Sequence, residues 1–437
     1  VSTNRLRRIV AAGAAALLAG IAGCGTSGPA GAGAVGGDKT VVWLVHGGFD
    51  AVYQRSVADY GAAHPDHQLD LQQFQNDPYK QKLRVAMGAG SAADLFSNWG
   101  GGVLKDYVNT GNVEDLTDEL GQDPAWKAKY FPNVMNATTF EGKTYGVPLN
   151  SMEPVLLYYN KRVFDEAGVQ PPKTWDELLS LVGTFKSRGK TPIALGGANK
   201  WTYLMYEQYL VDRLGGPEVF NAVAAGKPNA WMHPAFIQAN TMIQQLVDAG
   251  AFPDGFSAIS YDTGQASALL YTDKAAMYLM GSWDFGSMRE SAPEFIRNGS
   301  LGWVPFPTVA GGKGDPTNVV GNPAVFYSVA ANSKHKDTAI DYLKNGVFSD
   351  TYVDGLLDRG GVPPLNGIAA KLDRHENPEW LHFVYDLTQR APNFQLSWDQ
   401  ALSTKHADAL LTNMDRLFLK QITPQQFSEN MNGEAAR

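Results

Sequence analysis

The sequence predicts an α/β fold with a largely parallel sheet, and three observations carry that expectation. Short β-rich runs alternate with helix-patterned stretches from residue 40 onward. Several runs end in glycine or asparagine, as strands do when they feed a loop and a following helix. The composition is globular, 44% hydrophobic and 18% charged over 437 residues, which is chain enough for two domains of ordinary size.

The elements follow in order. Thr40–His46 is a β-rich run ending in Gly47-Gly48, and Phe49, Val52, Tyr53, Val57 and Tyr60 then recur at helical spacing with Asp50 near the start. Residues 67–74 alternate like a second strand, 77–87 read as a helix, and 93–99 read as a third strand. In such sheets ligands sit beyond the carboxyl ends of the strands. Those ends carry His46–Gly48, Gln75-Asn76 and Asn98-Trp99. A second α/β unit starts near residue 150 with an apolar strand over 153–161. A helix follows over 174–189, with Thr174 as N-cap and Glu177 at N3, a capping box. Residues 191–197 read as a strand, and 201–214 and 234–249 as helices. Residues 275–288 read as a strand breaking at a glycine turn, and strands return at 301–309 and 322–332. From Thr338 the pattern is mainly helical.

The N-terminal stretch has a different character. Arg5, Arg7 and Arg8 precede an uncharged apolar run, Ile9–Ile21. Thirteen residues fit an export signal and fall short of the roughly 20 that span a bilayer. Cys24 is the only cysteine, so it has no internal disulfide partner. Ile21-Ala22-Gly23-Cys24 resembles a bacterial lipobox, whose cysteine becomes the acylated first residue of the mature chain; a thiolate is the nucleophile such acylation needs. Residues 1–23 are therefore expected to be a lipoprotein signal peptide and 24–39 a flexible tether. The uncharged Gly/Ala/Ser/Pro segment would span roughly 20 Å as coil. Loss of residues 1–23 would take the formal charge from −8 to −11. With no long basic run after residue 8, nucleic acid is not an expected partner.

Further along, the chain resembles a known family. Residues 145–194 carry "YGVP", an apolar strand ending "YNK", and "PPKTWDE". This is similar to the pattern of extracellular solute-binding proteins of carbohydrate ABC importers. "DKAAMYLMGSW" (273–283) resembles that family's G-x-x-A-M-x-x-x-G-x-W element, with Asp273-Lys274 where glycine-lysine is usual. "LGWVPFPT" (301–308) and "SKHKDTAIDYLK" (333–344) resemble its return strand and the helix after it. The resemblance implies a two-lobed periplasmic-binding-protein-like fold (type II) with several hinge crossings and a sugar held between the lobes. Crossings are expected near Pro148, Pro305 and Ser349–Thr351. Lobe one would then comprise 40–147 and 302–350, and lobe two 148–301 and 351–437.

A pyranose presents two apolar C–H faces and a rim of hydroxyls. Aromatic rings suit the faces; Asp, Glu, Asn, Gln and Arg suit the rim. Trp201, Trp283 and Trp398 lie at loop junctions comparable to those where the family stacks sugars, and Trp99 is intermediate. Core packing is the competing role for any tryptophan, and Trp43, Trp175, Trp231 and Trp303 are assigned to core or surface. The polar candidates are Gln75, Asn76, Asn98, Asn150 and Glu153, followed by Asp284, Asn322, Arg359 and Gln395. Arg359 has a lobe-closing salt bridge as its alternative role. For Asn150 and Glu153 the alternative is hinge structure, and for Asn98 and Asn322 it is loop capping.

Three spaced tryptophans suggest at least two sugar units. The C-terminal region resembles binding proteins for β-1,4-linked disaccharides, so xylobiose or a xylo-oligosaccharide is the first choice. Cello-oligosaccharides, chitobiose or N-acetylglucosamine, and maltodextrins stay open. The expected partners are ABC permease membrane subunits and the membrane, through the lipid on Cys24 at the outer face of the cell. The chain is expected to act as a monomer without cofactor or metal. A secreted glycoside hydrolase would need two carboxylates flanking a bond, and no pair stands out. G-x-S-x-G, H-E-x-x-H and G-x-x-x-x-G-K-[ST] are absent from the sequence. A structural surface lipoprotein is the remaining alternative.

Overall fold

Residues 39–435 are described by a computed structural model. The expected export signal, Cys24 and the expected tether up to Asp38 lie outside the described residues. Lys39, placed in the tether by the sequence, is the first residue of strand β1.

Thirteen strands occur in chain order among the described residues. The first six are β1 (Lys39–Val45), β2 (Gln68–Phe74), β3 (Leu95–Asn98), β4 (Thr139–Phe140), β5 (Lys143–Thr144) and β6 (Val147–Pro148). They are followed by β7 (Glu153–Asn160), β8 (Thr191–Ala194), β9 (Ala275–Gly281) and β10 (Leu301–Val304). β11 (Val319–Asn322), β12 (Phe326–Val329) and β13 (Phe394–Leu396) complete the set. One sheet has the order β2-β1-β3-β12-β6, the other β13-β11-β7-β9-β8 with β10 also on β7. β4 and β5 form a small separate hairpin.

Strand β1 shows why its own sequence reads as nearly continuous apolar residues. Val42 and Leu44 join one buried cluster, while Trp43 joins another with Tyr79 and Phe96. A sheet covered on both faces needs apolar side chains at odd and even positions alike. β1, β2 and β3 run parallel, and β12 enters antiparallel beside β3. β7 occupies the same position in the second sheet, buried along almost its whole length between β9 and β10 or β11.

Two of the three crossings differ from the expected ones. The chain leaves the first sheet at Pro148 and enters the second at Glu153. It does not return at Pro305, because β10 and β11 both pair with β7. The proline-rich segment after β10 is extended, as the sequence suggests, but it stays on the second unit. There Phe306 stacks on Tyr209 at 4.4 Å and 3°, and the Thr308 N–H donates to the Lys173 carbonyl. The return falls between Asn322 and Phe326. The third crossing is also later than Ser349–Thr351, since the helix Asp350–Asp358 packs on the first unit. The Tyr352 ring lies 6.0 Å from Tyr53, and its hydroxyl donates to the Leu149 carbonyl. Phe131 N–H still bonds Pro364 O, whereas Trp380 stacks on Phe285 of the second unit. That crossing therefore lies between Pro364 and Trp380.

The Thr174 capping box is formed in full. Thr174 Oγ1 accepts from the Glu177 N–H at 3.2 Å, and Glu177 Oε2 accepts from the Thr174 N–H. Thr174→Ala is expected to cost about 1 kcal/mol of stability, read from equilibrium urea unfolding. An unchanged midpoint would assign the whole capping effect to Glu177, which also accepts from the Lys173 N–H.

Candidate ligand-binding cleft

The carboxyl ends of β1 and β3, the start of β7 and the loops after β8 and β9 face one cleft of about 960 Å³, open solvent included. The first unit contributes His46–Phe49, Asn76 and Trp99. The second contributes Trp201, Tyr261 and Trp283, and Asn150, Glu153 and Asn322 form a polar group where the two units join.

The aromatic wall is built from two loops tied together by Asn199. Its carboxamide oxygen accepts from the Tyr261 N–H at 2.8 Å, and its backbone carbonyl accepts from Thr202 at the start of the next helix. This sets the Trp201 ring edge-on to Tyr261, with centroids 4.8 Å apart, and 6.1 Å from Trp283 at 52°. Gly281 positions Trp283, because a Cβ there would fall inside the space the indole occupies. The helix Trp201–Gly215 then turns Trp201, Leu204, Met205 and Gln208 to the cleft, the i, i+3, i+4, i+7 spacing of one helical face. On the opposite side Trp99 packs against Tyr79 at 6.3 Å, with the Lys80 ammonium 5.0 Å from its ring centroid.

The polar set is buried. Glu153, 5% exposed, accepts from Asn322 Nδ2 at 3.2 Å and from Asn150 Nδ2 at 3.4 Å. Burial pushes its carboxyl up from 4.5 to about 8, with the Asn322 hydrogen bond opposing. Asn322 Oδ1, Gln208 Nε2 and Trp201 Nε1 are buried and have no hydrogen-bond partner in the protein. Buried polar atoms left this way are costly unless something else pairs with them. Here one acceptor and two donors belong to residues that line a single cleft. Asp284 lies behind this wall, and burial raises it to about 7 against the Tyr261 hydrogen bond. Among the described residues no group of three or more His, Cys, Asp or Glu is placed to hold a metal ion, and no helix is long and apolar enough to cross a membrane.

Contacts between the two units flank the cleft. Arg359 Nη1 donates to Gly48 O at 3.2 Å and pairs with Glu290 of the second unit. Gly48 itself runs so close to Gly286 that a Cβ would stand 2.7 Å from its carbonyl carbon. Asn199 Nδ2 donates to Asp77 at 2.8 Å, and Lys80 pairs with Asp399 at 3.0 Å.

Of the residues the sequence singles out, the cleft brings together Trp99, Trp201, Trp283, Asn76, Asn150, Glu153 and Asn322. The other six do not line it. Trp398 is the clearest correction: it is 1% exposed and stacked on Phe220 at 4.3 Å and 4°, with Phe236 and Trp231 around it. Its neighbours Asp399 and Gln400 face the cleft instead. Gln75 is exposed at the N-cap of the next helix, and Gln395 lies on the edge strand β13. Asn98 is used within the first sheet and its following turn, donating to Ser328 Oγ on β12 and accepting from the Gly100 N–H. Asp284 is enclosed behind the wall, and Arg359 is held in its ion pair. Tyr261, Gln208, Asn199 and Lys80 were not singled out. For Gln208 the helical spacing from Trp201 was a usable signal, whereas Tyr261 sits in a loop with no pattern.

Residues 46–346 match the family described as bacterial extracellular solute-binding protein. A multiple sugar-binding protein of Streptococcus mutans is 30% identical over 269 residues, 56% of this chain and 61% of that one. A diacetylchitobiose binding protein of Streptomyces coelicolor is 28% identical over 256 residues, 56% of this chain and 53% of that one. The matched stretch thus spans little more than half the length of these curated relatives. A solved structure from work on xylan utilization by Caldanaerobius polysaccharolyticus superposes with a TM-score of 0.80 at 30% identity, covering 90% of this chain and 99% of that one. A chitin oligosaccharide binding protein, 24% identical over 92% of this chain and 99% of that one, also superposes at 0.80 and shares the fold. The α/β architecture is that of the two-lobed solute-binding structures.

Proposed function

The chain belongs to the bacterial extracellular solute-binding proteins, and on that premise we propose that it captures an oligosaccharide between its lobes for an ABC importer. The observation that carries this is one cleft holding a Trp201–Trp283–Tyr261 wall beside the buried Glu153, Asn150 and Asn322. The wall suits the C–H face of a pyranose, and the polar group suits its hydroxyls. The unpaired Asn322 Oδ1, Gln208 Nε2 and Trp201 Nε1 offer an acceptor and two donors to hydroxyls, each of which both donates and accepts. Closure would be a hinge motion of one lobe on the other, and permease subunits would gain affinity for the closed form. The body would act as a monomer at the outer face of the membrane, held by a lipid on Cys24.

Xylobiose or a xylo-oligosaccharide is the proposed ligand, supported by the 30% identity to the structure from xylan-utilization work. Diacetylchitobiose is the second reading, favoured by the Streptomyces coelicolor relative. Titration calorimetry of the purified protein with xylobiose, cellobiose, diacetylchitobiose and maltose tests both. Tightest binding of xylobiose, with the sugar recovered intact, is the expected result. Heat from diacetylchitobiose alone selects the second reading. Hydrolysis products would replace binding with glycoside hydrolysis, and no heat with any sugar would leave a structural surface lipoprotein. Mass spectrometry of the native N-terminus should find Cys24 acylated; a chain still joined to Gly23 would remove the anchor.

A further inference from the structure

The cleft is not the only hollow that Trp99 and Trp201 border. A second one, of about 1100 Å³ with open solvent included, shares Lys80, Trp99, Trp201, Asp399 and Gln400 with the first. The shared residues are side chains packed on each other. Lys80 Nζ reaches Asp399 Oδ2 at 3.0 Å and sits over the Trp99 ring, while Gln400 Nε2 donates to the same Asp399 oxygen at 2.7 Å. The partition is therefore made of rings and an ion pair. Beyond it, two helices face the hollow with short apolar stripes, Val103, Leu104 and Tyr107 from one, Ala407 and Leu411 from the other. The Arg84–Asp408 pair, 2.7 Å apart, stands among the same lining residues. Like the first cleft, the hollow sets apolar and aromatic surface beside polar groups, although its polar groups are mostly charged.

We propose that this hollow receives the sugar unit that overhangs the first cleft when the ligand is longer than a disaccharide. The Lys80–Asp399 pair is the partition that unit displaces, its hydrogen bonds taken over by sugar hydroxyls. Trp99 and Trp201 then serve both chambers, and the hollow makes the protein select by chain length. This rests on the oligosaccharide reading above.

The test uses Val103→Trp and Leu411→Trp, which fill the hollow from two different helices and replace no residue that lines the first cleft. Wild type and both variants are titrated with di-, tri- and tetrasaccharides of whichever sugar series the wild type binds, and each is melted as a check on folding. Wild type is expected to bind the trisaccharide at least threefold more tightly than the disaccharide. Each variant is expected to lose at least tenfold in affinity for tri- and tetrasaccharide and to keep the disaccharide within twofold. An unchanged ratio in both folded variants, or equal loss at every length, overturns the proposal and leaves the oligosaccharide reading standing. So does a wild type that binds the disaccharide as tightly as longer chains. A wild type that binds no sugar of any length overturns both.

Discussion

Trp283→Ala is expected to weaken oligosaccharide binding at least tenfold while leaving the melting temperature nearly unchanged. The indole stands on the cleft wall, with Trp201 6.1 Å away and the Gly281 backbone beneath it. Covering about 60 Å² of apolar sugar and ring surface at about 25 cal/mol per Å² gives about 1.5 kcal/mol, and about 1.4 kcal/mol is one decade in Kd. Trp201→Ala should fall in the same range. The rings are close enough to couple, so the double variant should lose less than the product of the two single losses. Gly281→Ala acts in the same direction from outside the contact surface, because its methyl group needs the space of the Trp283 ring. Titration calorimetry with the tightest disaccharide measures all four. An affinity unchanged in a folded Trp283→Ala protein would remove the stacking role from this wall.

The sequence was most legible where one local rule decides the outcome. Thr174 and Glu177 are three residues apart at the start of an apolar-periodic run, and the capping box they imply is formed. Trp283 follows a glycine turn after an apolar strand, and the glycine is there because the ring fills its Cβ space. Legibility failed where the deciding partner is distant in the chain. Trp398 sits at a loop-to-helix junction as Trp201 does, yet Phe220, Phe236 and Trp231 from remote segments enclose it. No spacing around residue 398 announces those partners. Pro305 lies in an extended segment, but extension does not say which sheet a strand joins. That choice is made by β7, whose buried edges accept both β10 and β11. Gln208 is the intermediate case: its helical face could be read from Trp201, but only once Trp201 is known to face a ligand.

Glu153→Gln is expected to flatten the pH dependence of stability between pH 5 and 8. Burial raises the Glu153 carboxyl from 4.5 to about 8. Tyr53 and Tyr261 are the ionisable side chains whose charge it affects, with Asp50 next to Tyr53 and Asp284 next to Tyr261. The folded protein keeps the proton throughout this window while the unfolded chain releases it near 4.5. Unfolding then releases protons, so stability falls as pH rises and the loss is complete above about pH 8. A single such group contributes a slope of up to about 1.4 kcal/mol per pH unit. Glu207, raised to about 8, and Asp284, raised to about 7, act in the same direction, again through burial. The wild type should therefore lose melting temperature steadily from pH 5 to pH 8. Glutamine keeps the shape and an acceptor for Asn322 or Asn150 but has no proton to release. At pH 5 the variant should melt close to wild type, and at pH 8 it should melt higher. The remaining slope belongs to Glu207 and Asp284, so it should shrink rather than vanish. Melting curves at half-unit pH steps measure the difference, and parallel profiles for the two proteins would mean that Glu153 is already ionised in the fold. In that case its two asparagine neighbours hold a charge, and the cleft would present an anion rather than a neutral carboxyl to its ligand.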